Sequence, residues 1–174
     1  MARIGVTGHV DVPDETVDWI VRALTARLRD VVVPGWRGVT CLAKGADQIF
    51  ARAVLALDGS LDVVLPAKDY ELSVIDDGNR EHFRDLLALA DDVETMPYPT
   101  SSRAAYFAAS EAMLNRCDML LAVWNGNPSR RMGDTADVVR KAREMRIPVI
   151  VIWPPGESSY ASDTPAPPSR TLAK

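Results

Sequence analysis

The 174-residue chain has two cysteines, Cys41 and Cys117, at no spacing that suits a metal site. That excludes a disulfide scaffold and points to reduced thiols in a reducing compartment. Lys and Arg number 20 against 24 Asp and Glu, a net charge of −4. No global basic field therefore favours nonspecific nucleic-acid binding, and nucleic acid is not an expected partner. No apolar run approaches the roughly 20 residues that span a bilayer, so no membrane is expected. The opening "MARIGVTGH" carries no secretory apolar region, and the expected location is the cytoplasm. Neither the dinucleotide glycine fingerprint nor a Gly-Lys-Ser/Thr P-loop is present, which disfavours standard NAD and ATP cradles. No Ser-His-Asp triad, Cys-His pair or zinc cluster is recognisable. A nucleophilic or metal mechanism has no support, and no cofactor is expected.

What is present is alternation. Strand-length apolar runs, "RIGVTG" (3–8), "GVTCLA" (38–43), "LDVVLP" (61–66), "DMLLAVW" (118–124) and "PVIVIW" (148–153), alternate with helix-period segments. "DVETM" (92–96) is a further candidate strand, and "GVTCLA" places Cys41 in a buried strand. The helical stripes include Val17, Ile20, Val21, Leu24 and Leu28 over 15–29, and Ile49, Phe50, Ala53, Val54 and Leu57 from about Ala46. Further helices are expected around Phe83, Leu86 and Leu87, over 102–115 and over 135–145. Near-continuously apolar strands between helices imply a doubly wound, mostly parallel Rossmann-like α/β sheet, covered on both faces, as a single domain over 1–153. Residues 154–174 hold five of the twelve prolines and little apolar content, so they read as a tail.

In such sheets ligands bind beyond the carboxyl ends of the strands. Three loops there carry glycine: Thr7-Gly8-His9, Ala43-Lys44-Gly45-Ala46-Asp47, and the stretch "NGNPSRRMGDT" (125–135). Helix N-termini offer unpaired N–H groups and partial positive charge, which favour anions. Gly126, Gly133, Asp134 and Thr135 fit a phosphate-bearing ligand, with Arg130 and Arg131 for charge-assisted contacts. The plainer alternatives stay open. Gly8 and Gly45 also read as tight-turn glycines, Asp134 or Thr135 as a helix cap, and Arg130-Arg131 as a solvated pair. His9 is placed for acid–base work or for local turn hydrogen bonds. Asp47 is placed to contact a ribose hydroxyl or to complement a helix dipole. Tyr70 falls in a long loop, 67–79, of the kind that forms lids and stacks on bases. His82 reads as a surface residue. Tyr106, Trp124 and Trp153 read as packing residues.

"GVTCLAKGADQIFARAVL" (38–55) resembles the Ser-Gly-Leu-Ala-Arg-Gly-Ile-Asp segment and apolar helix of DNA-processing protein A. "IGVTGHVDV" (4–12) resembles the same superfamily's first strand and glycine turn. Gly133-Asp134-Thr135-Ala136-Asp137 resembles the Gly-Gly-Thr region of LOG-like proteins. Over roughly residues 3–153 the chain resembles the SLOG superfamily, which includes the YpsA-like proteins. The resemblance implies a Rossmannoid domain holding a nucleotide-derived ligand at Gly8, Gly45 and the Gly133–Thr135 turn. It also implies two alternatives: LOG-type phosphoribohydrolysis, with Asp137 or Asp47 polarising the ribose and His9 assisting, and single-stranded DNA binding. Related domains are often dimeric, so a homodimer is expected. The LOG signature places glutamate three residues past the threonine; here that position is Val138, with Asp137 one residue early. A helix turns about 100° per residue, so Asp137 points away from where that glutamate would. Binding is therefore expected ahead of catalysis.

Overall fold

The structure, a computed structural model, describes residues 2–73, 75–127 and 134–155. Six strands form one wholly parallel sheet: β1 (Arg3–Gly8), β2 (Arg37–Thr40), β3 (Ser60–Leu65), β4 (Asp92–Thr95), β5 (Met119–Val123) and β6 (Val149–Ile152). Their order across the sheet is β4-β3-β2-β1-β5-β6. Six helices connect them: α1 (Asp14–Val31), α2 (Ala46–Ala56), α3 (Tyr70–Ser73), α4 (Asp77–Ala88), α5 (Arg103–Leu114) and α6 (Thr135–Glu144). Helices cover both faces, as the apolar strands required. In β5, Leu120 packs with Val138 and Met113 on one face, while Leu121 and Val123 join Ile20, Leu24 and Phe50 on the other. Among the described residues no helix is long and apolar enough to cross a membrane.

The elements follow the expected alternation, with three informative departures. In α1 the buried row is Thr16, Ile20, Leu24 and Leu28, whereas Val21 is exposed and Val17 only half-buried. Residues four apart drift by only about 40° around a helix, so this narrow row suffices to face the sheet. The second strand stops at Thr40, not at Ala43. Thr40 Oγ1 accepts the Leu42 N–H at 3.0 Å, and Leu42 takes φ +58°, turning the chain out of the sheet. Cys41, expected within the strand, therefore sits in the loop. Finally, the stretch expected to be one long loop contains α3, and Tyr70 is 4% exposed rather than displayed on a lid. The tail reading falls almost wholly on 156–174, outside the described residues.

Strand order decides where a site can form. From β1 the chain proceeds through β2, β3 and β4 on one side, then crosses back to β5 and β6 on the other. Loops leaving β1 and β5 diverge at this reversal and leave a crevice at the sheet's carboxyl edge.

Candidate functional site

The loop after β2 is organised by one buried carboxylate. Asp47, in the first turn of α2 and 6% exposed, accepts the Thr40 hydroxyl at 3.0 Å and the Ala43 N–H at 3.3 Å. Burial penalises its charged form and pushes its pKa up to about 6, against the opposing pull of those hydrogen bonds. Thr40 thus serves both sides of the turn, donating to Asp47 while accepting from Leu42.

The loop after β1 is stitched to its neighbours. The His9 N–H donates to Val123 O at 3.2 Å, and the Ala46 N–H donates to His9 O at 3.2 Å. His9 Nε2 accepts the Asn125 N–H at 3.3 Å, and its ring meets Trp153 edge-on at 5.4 Å. His9 makes a bond between loops 116 residues apart in sequence, rather than the local turn bond expected.

The two glycines at this edge serve close packing. A Cβ on Gly8 would lie 2.4 Å from Ala46 Cβ and 2.8 Å from Val123 Cβ. Gly45 has φ +83°, and a Cβ there would lie 2.5 Å from His9 O and 2.4 Å from Val10 O. Both positions need glycine for the loops to touch, whether or not a ligand approaches.

At the start of α6, Asp134 is the N-cap. Its Oδ1 accepts the N–H groups of Ala136 at 3.1 Å and Asp137 at 3.4 Å. The helix's first free donors are thereby answered by the chain's own carboxylate. Thr135 is 8% exposed. Asp137 lies alongside Arg140, Oδ1 to Nη2 at 3.3 Å, and it is Val138 that faces the crevice. Gly126, at φ +82°, sits in a turn closed by the Asn127 N–H donating to Asn125 Oδ1. Arg130, Arg131 and Gly133 lie outside the described residues.

These loops enclose a cavity of about 370 Å³ at the β1–β5 reversal. Six of the sequence-predicted residues line it together: Thr7, Gly8, His9, Asp47, Asp134 and Thr135. Tyr70 and Tyr106 join them, packed edge-to-face at 6.2 Å. Lys44 and Gly45 instead line a second cavity, of about 410 Å³, with Arg52 and His82, and Lys44 pairs with Asp76 at 3.2 Å. Gly126 and Asp137 line neither. Sequence reasoning missed Cys41, Pro66, Ala109, Ser110 and Met113 on the wall. Three of these come from α5, whose small apolar residues read as ordinary core; only the packing of α5 against the sheet brings them here. Among the described residues the wall carries two carboxylates and no lysine or arginine. Among the described residues no cluster of His, Cys, Asp and Glu could hold a metal ion.

No family model and no curated protein matches the chain. Solved structures do. DNA processing protein A from Streptococcus pneumoniae superposes with a TM-score of 0.65 at 14% identity, covering 86% of this chain and 50% of that one. The Helicobacter pylori protein of the same name, solved for its single-stranded DNA binding mode, gives 0.63 at 14% identity over 90% and 68%. The structural-genomics target TM1055 gives 0.55 at 15% identity over 86% and 72%. The chain spans about half the length of the S. pneumoniae protein. At these identities the likeness is one of fold, and it is the fold that the SLOG resemblance implies.

Proposed function

From a fold shared with DNA processing protein A, we propose that this chain is a SLOG-type binding module for a nucleotide or nucleotide-derived ligand. The observation that carries the reading is the cavity at the strand-order reversal, where three loops and the start of α6 converge. Thr7, Gly8, Asp134 and Thr135 line it. Because Asp134 already answers the first donors of α6, charge neutralisation for phosphates falls to Arg130 and Arg131, with Gly133 allowing close approach. Calorimetry or native mass spectrometry against nucleoside mono- and diphosphates tests this. Arg131→Ala and Gly133→Val should weaken binding about ten-fold or more, the range of a charge-assisted contact. Unchanged affinity for every bound ligand would remove these residues from the site.

A second reading, an N-glycosidic hydrolase, is favoured by Asp47. This is a wall carboxylate that burial brings to a pKa of about 6, suited to proton transfer near neutrality. Free base released from nucleoside monophosphates, and lost in Asp47→Asn, would establish it. Asp137 has a weaker claim, since it does not line the cavity. Single-stranded DNA is a third candidate ligand, through the fold shared with the H. pylori protein. It predicts steeply salt-dependent retention of an oligonucleotide. The homodimer expectation is checked by light scattering.

A further inference from the structure

The sheet has two edges, and they are built differently. An edge strand presents unpaired N–H and C=O groups that a further strand can join, and charged side chains are one protection against this. β4 has that protection: Asp92 and Glu94 alternate along it, and Arg116 pairs with both. β6, at the other edge, is Val149-Ile150-Val151-Ile152, without a charge or a glycine, and it pairs with β5 in unbroken register. No described strand pairs with its outer side. Val151 is 45% exposed, and Val149 and Ile150 are half-buried.

The hydrogen-bonding parity of β6 leaves its outer side able to pair. Pro148 O and Ile152 O accept the N–H groups of Leu120 and Trp124 at 2.9 and 3.3 Å. Backbone groups alternate sides along a strand, so Pro148, Ile150 and Ile152 face β5 while Val149 and Val151 face outwards. A proline on an edge usually removes a donor from the exposed side. Here Pro148 lies on the parity that faces β5, and the outward N–H groups of Val149 and Val151 are kept.

The helix beside this edge selects the partner. α1 touches β6 on one face of the sheet and α2 on its other flank. Val17 of α1 lines a cavity with Gln48, Ile49 and Arg52 of α2. Trp19, two residues on, lies about 160° round the helix from Val17 and is turned away from α2, towards the β6 side. It is half-buried, as is Ala23 one turn later. The helix is also divided in charge: Asp14, Glu15 and Asp18 lie in its first half, and Arg22, Arg27 and Arg29, followed by Asp30, in its second. Two such helices side by side attract when they run antiparallel and repel when parallel.

We propose that the outer edge of β6 is the interface for a second copy of this chain, the two strands pairing antiparallel about a two-fold axis at Val151. A contact of this kind needs a surface complementary to itself. An uncharged, β-branched strand meets that need. A two-fold axis normal to the sheet also runs the two α1 helices antiparallel, acidic half beside basic half. A four-residue strand is too short to hold a dimer alone, so the Trp19 flanks of α1 supply further apolar surface. The pairing joins two six-stranded sheets into one, with their carboxyl edges, and hence the two cavities, directed oppositely. It does not rest on the nucleotide reading, and it gives the expected homodimer a surface.

The test is sedimentation velocity of the whole chain from about 1 to 100 µM, with hydrogen exchange at both ends of that range. The unmodified protein should dimerise, and the Val149 and Val151 amides should exchange more slowly in the dimer. Val151→Lys, at an exposed position, sets two like charges at the axis and should weaken association about a hundred-fold or more. Val151→Glu should do the same. An equimolar mixture of the two variants should regain the dimer, which chains that had failed to fold would not do. Val93→Lys, on the β4 edge, should leave the dimer intact. A monomer throughout the range, a dimer indifferent to Val151→Lys or broken by Val93→Lys, or a mixture that stays monomeric overturns the interface. So does slow Val151 exchange in a monomer, which would place another segment of the same chain along β6.

Discussion

Asp47 makes a quantitative prediction about stability against pH. Its pKa is about 6 in the folded protein against an ordinary 3.8, and the largest cause is burial. Below the ordinary value the carboxyl is neutral in both folded and unfolded chains and imposes no ionisation cost. As pH rises from 3.8 towards 6, the unfolded chain ionises first, so it gains and the fold loses. Above about 6 the loss is complete, and the difference between the two values corresponds to about 3 kcal/mol. Asn at this position keeps the shape and one acceptor without the ionisation. Urea unfolding of the protein and of Asp47→Asn should be compared at half-unit steps from about pH 4 to pH 8. The stability of the unmodified protein relative to the variant should fall by about 2.5 kcal/mol across that window, then level off. Taking the difference cancels every other titrating group that the substitution leaves alone. A flat difference would refute the assignment of a buried, raised carboxyl. A difference that grew with pH would mean that the bonds from Thr40 and Ala43 outweigh desolvation.

Three further outcomes follow from the geometry. Gly45→Ala should cost about 3 kcal/mol or more, combining a positive φ with contacts at 2.4 and 2.5 Å to backbone oxygens; an unchanged urea midpoint would refute this. Arg37 holds Asp62 through Nε at 3.0 and 2.9 Å and through Nη2, and the Asp62 side chain is only 5% exposed. Arg37→Met should therefore cost about 3–5 kcal/mol by stranding a buried charge, and Asp62→Leu added to it should recover most of the loss. Burial pushes the Cys41 thiol well above its ordinary value and that of Cys117 up to about 12. At pH 8 both should alkylate far more slowly in the native protein than in urea, and equal rates would contradict their burial.

Much of the fold was legible because its signal is local. Strands buried on both faces must be apolar throughout, and each helix must turn a stripe inward, so the two periodicities in the chain revealed the order of elements. The errors came where tertiary contacts override local preference. Thr40 and Leu42 end β2 early through a side-chain bond that resembles nothing in a strand pattern. Tyr70 reads as a loop residue until Phe83 and Tyr106 are seen packed around it.

The candidate site divides along the same line. Taken alone, the sequence determined the alternation of strand and helix, the loops that carry glycine, and the replacement of an expected glutamate by Val138. These are properties of neighbours in the chain. Only the tertiary structure decided which of those loops share a cavity. It separated Lys44 and Gly45 from Thr7 and Thr135, turned Asp137 towards Arg140, and brought α5 onto the wall. Burial and pairing depend on residues distant in sequence, brought together when the chain crosses back over its own sheet.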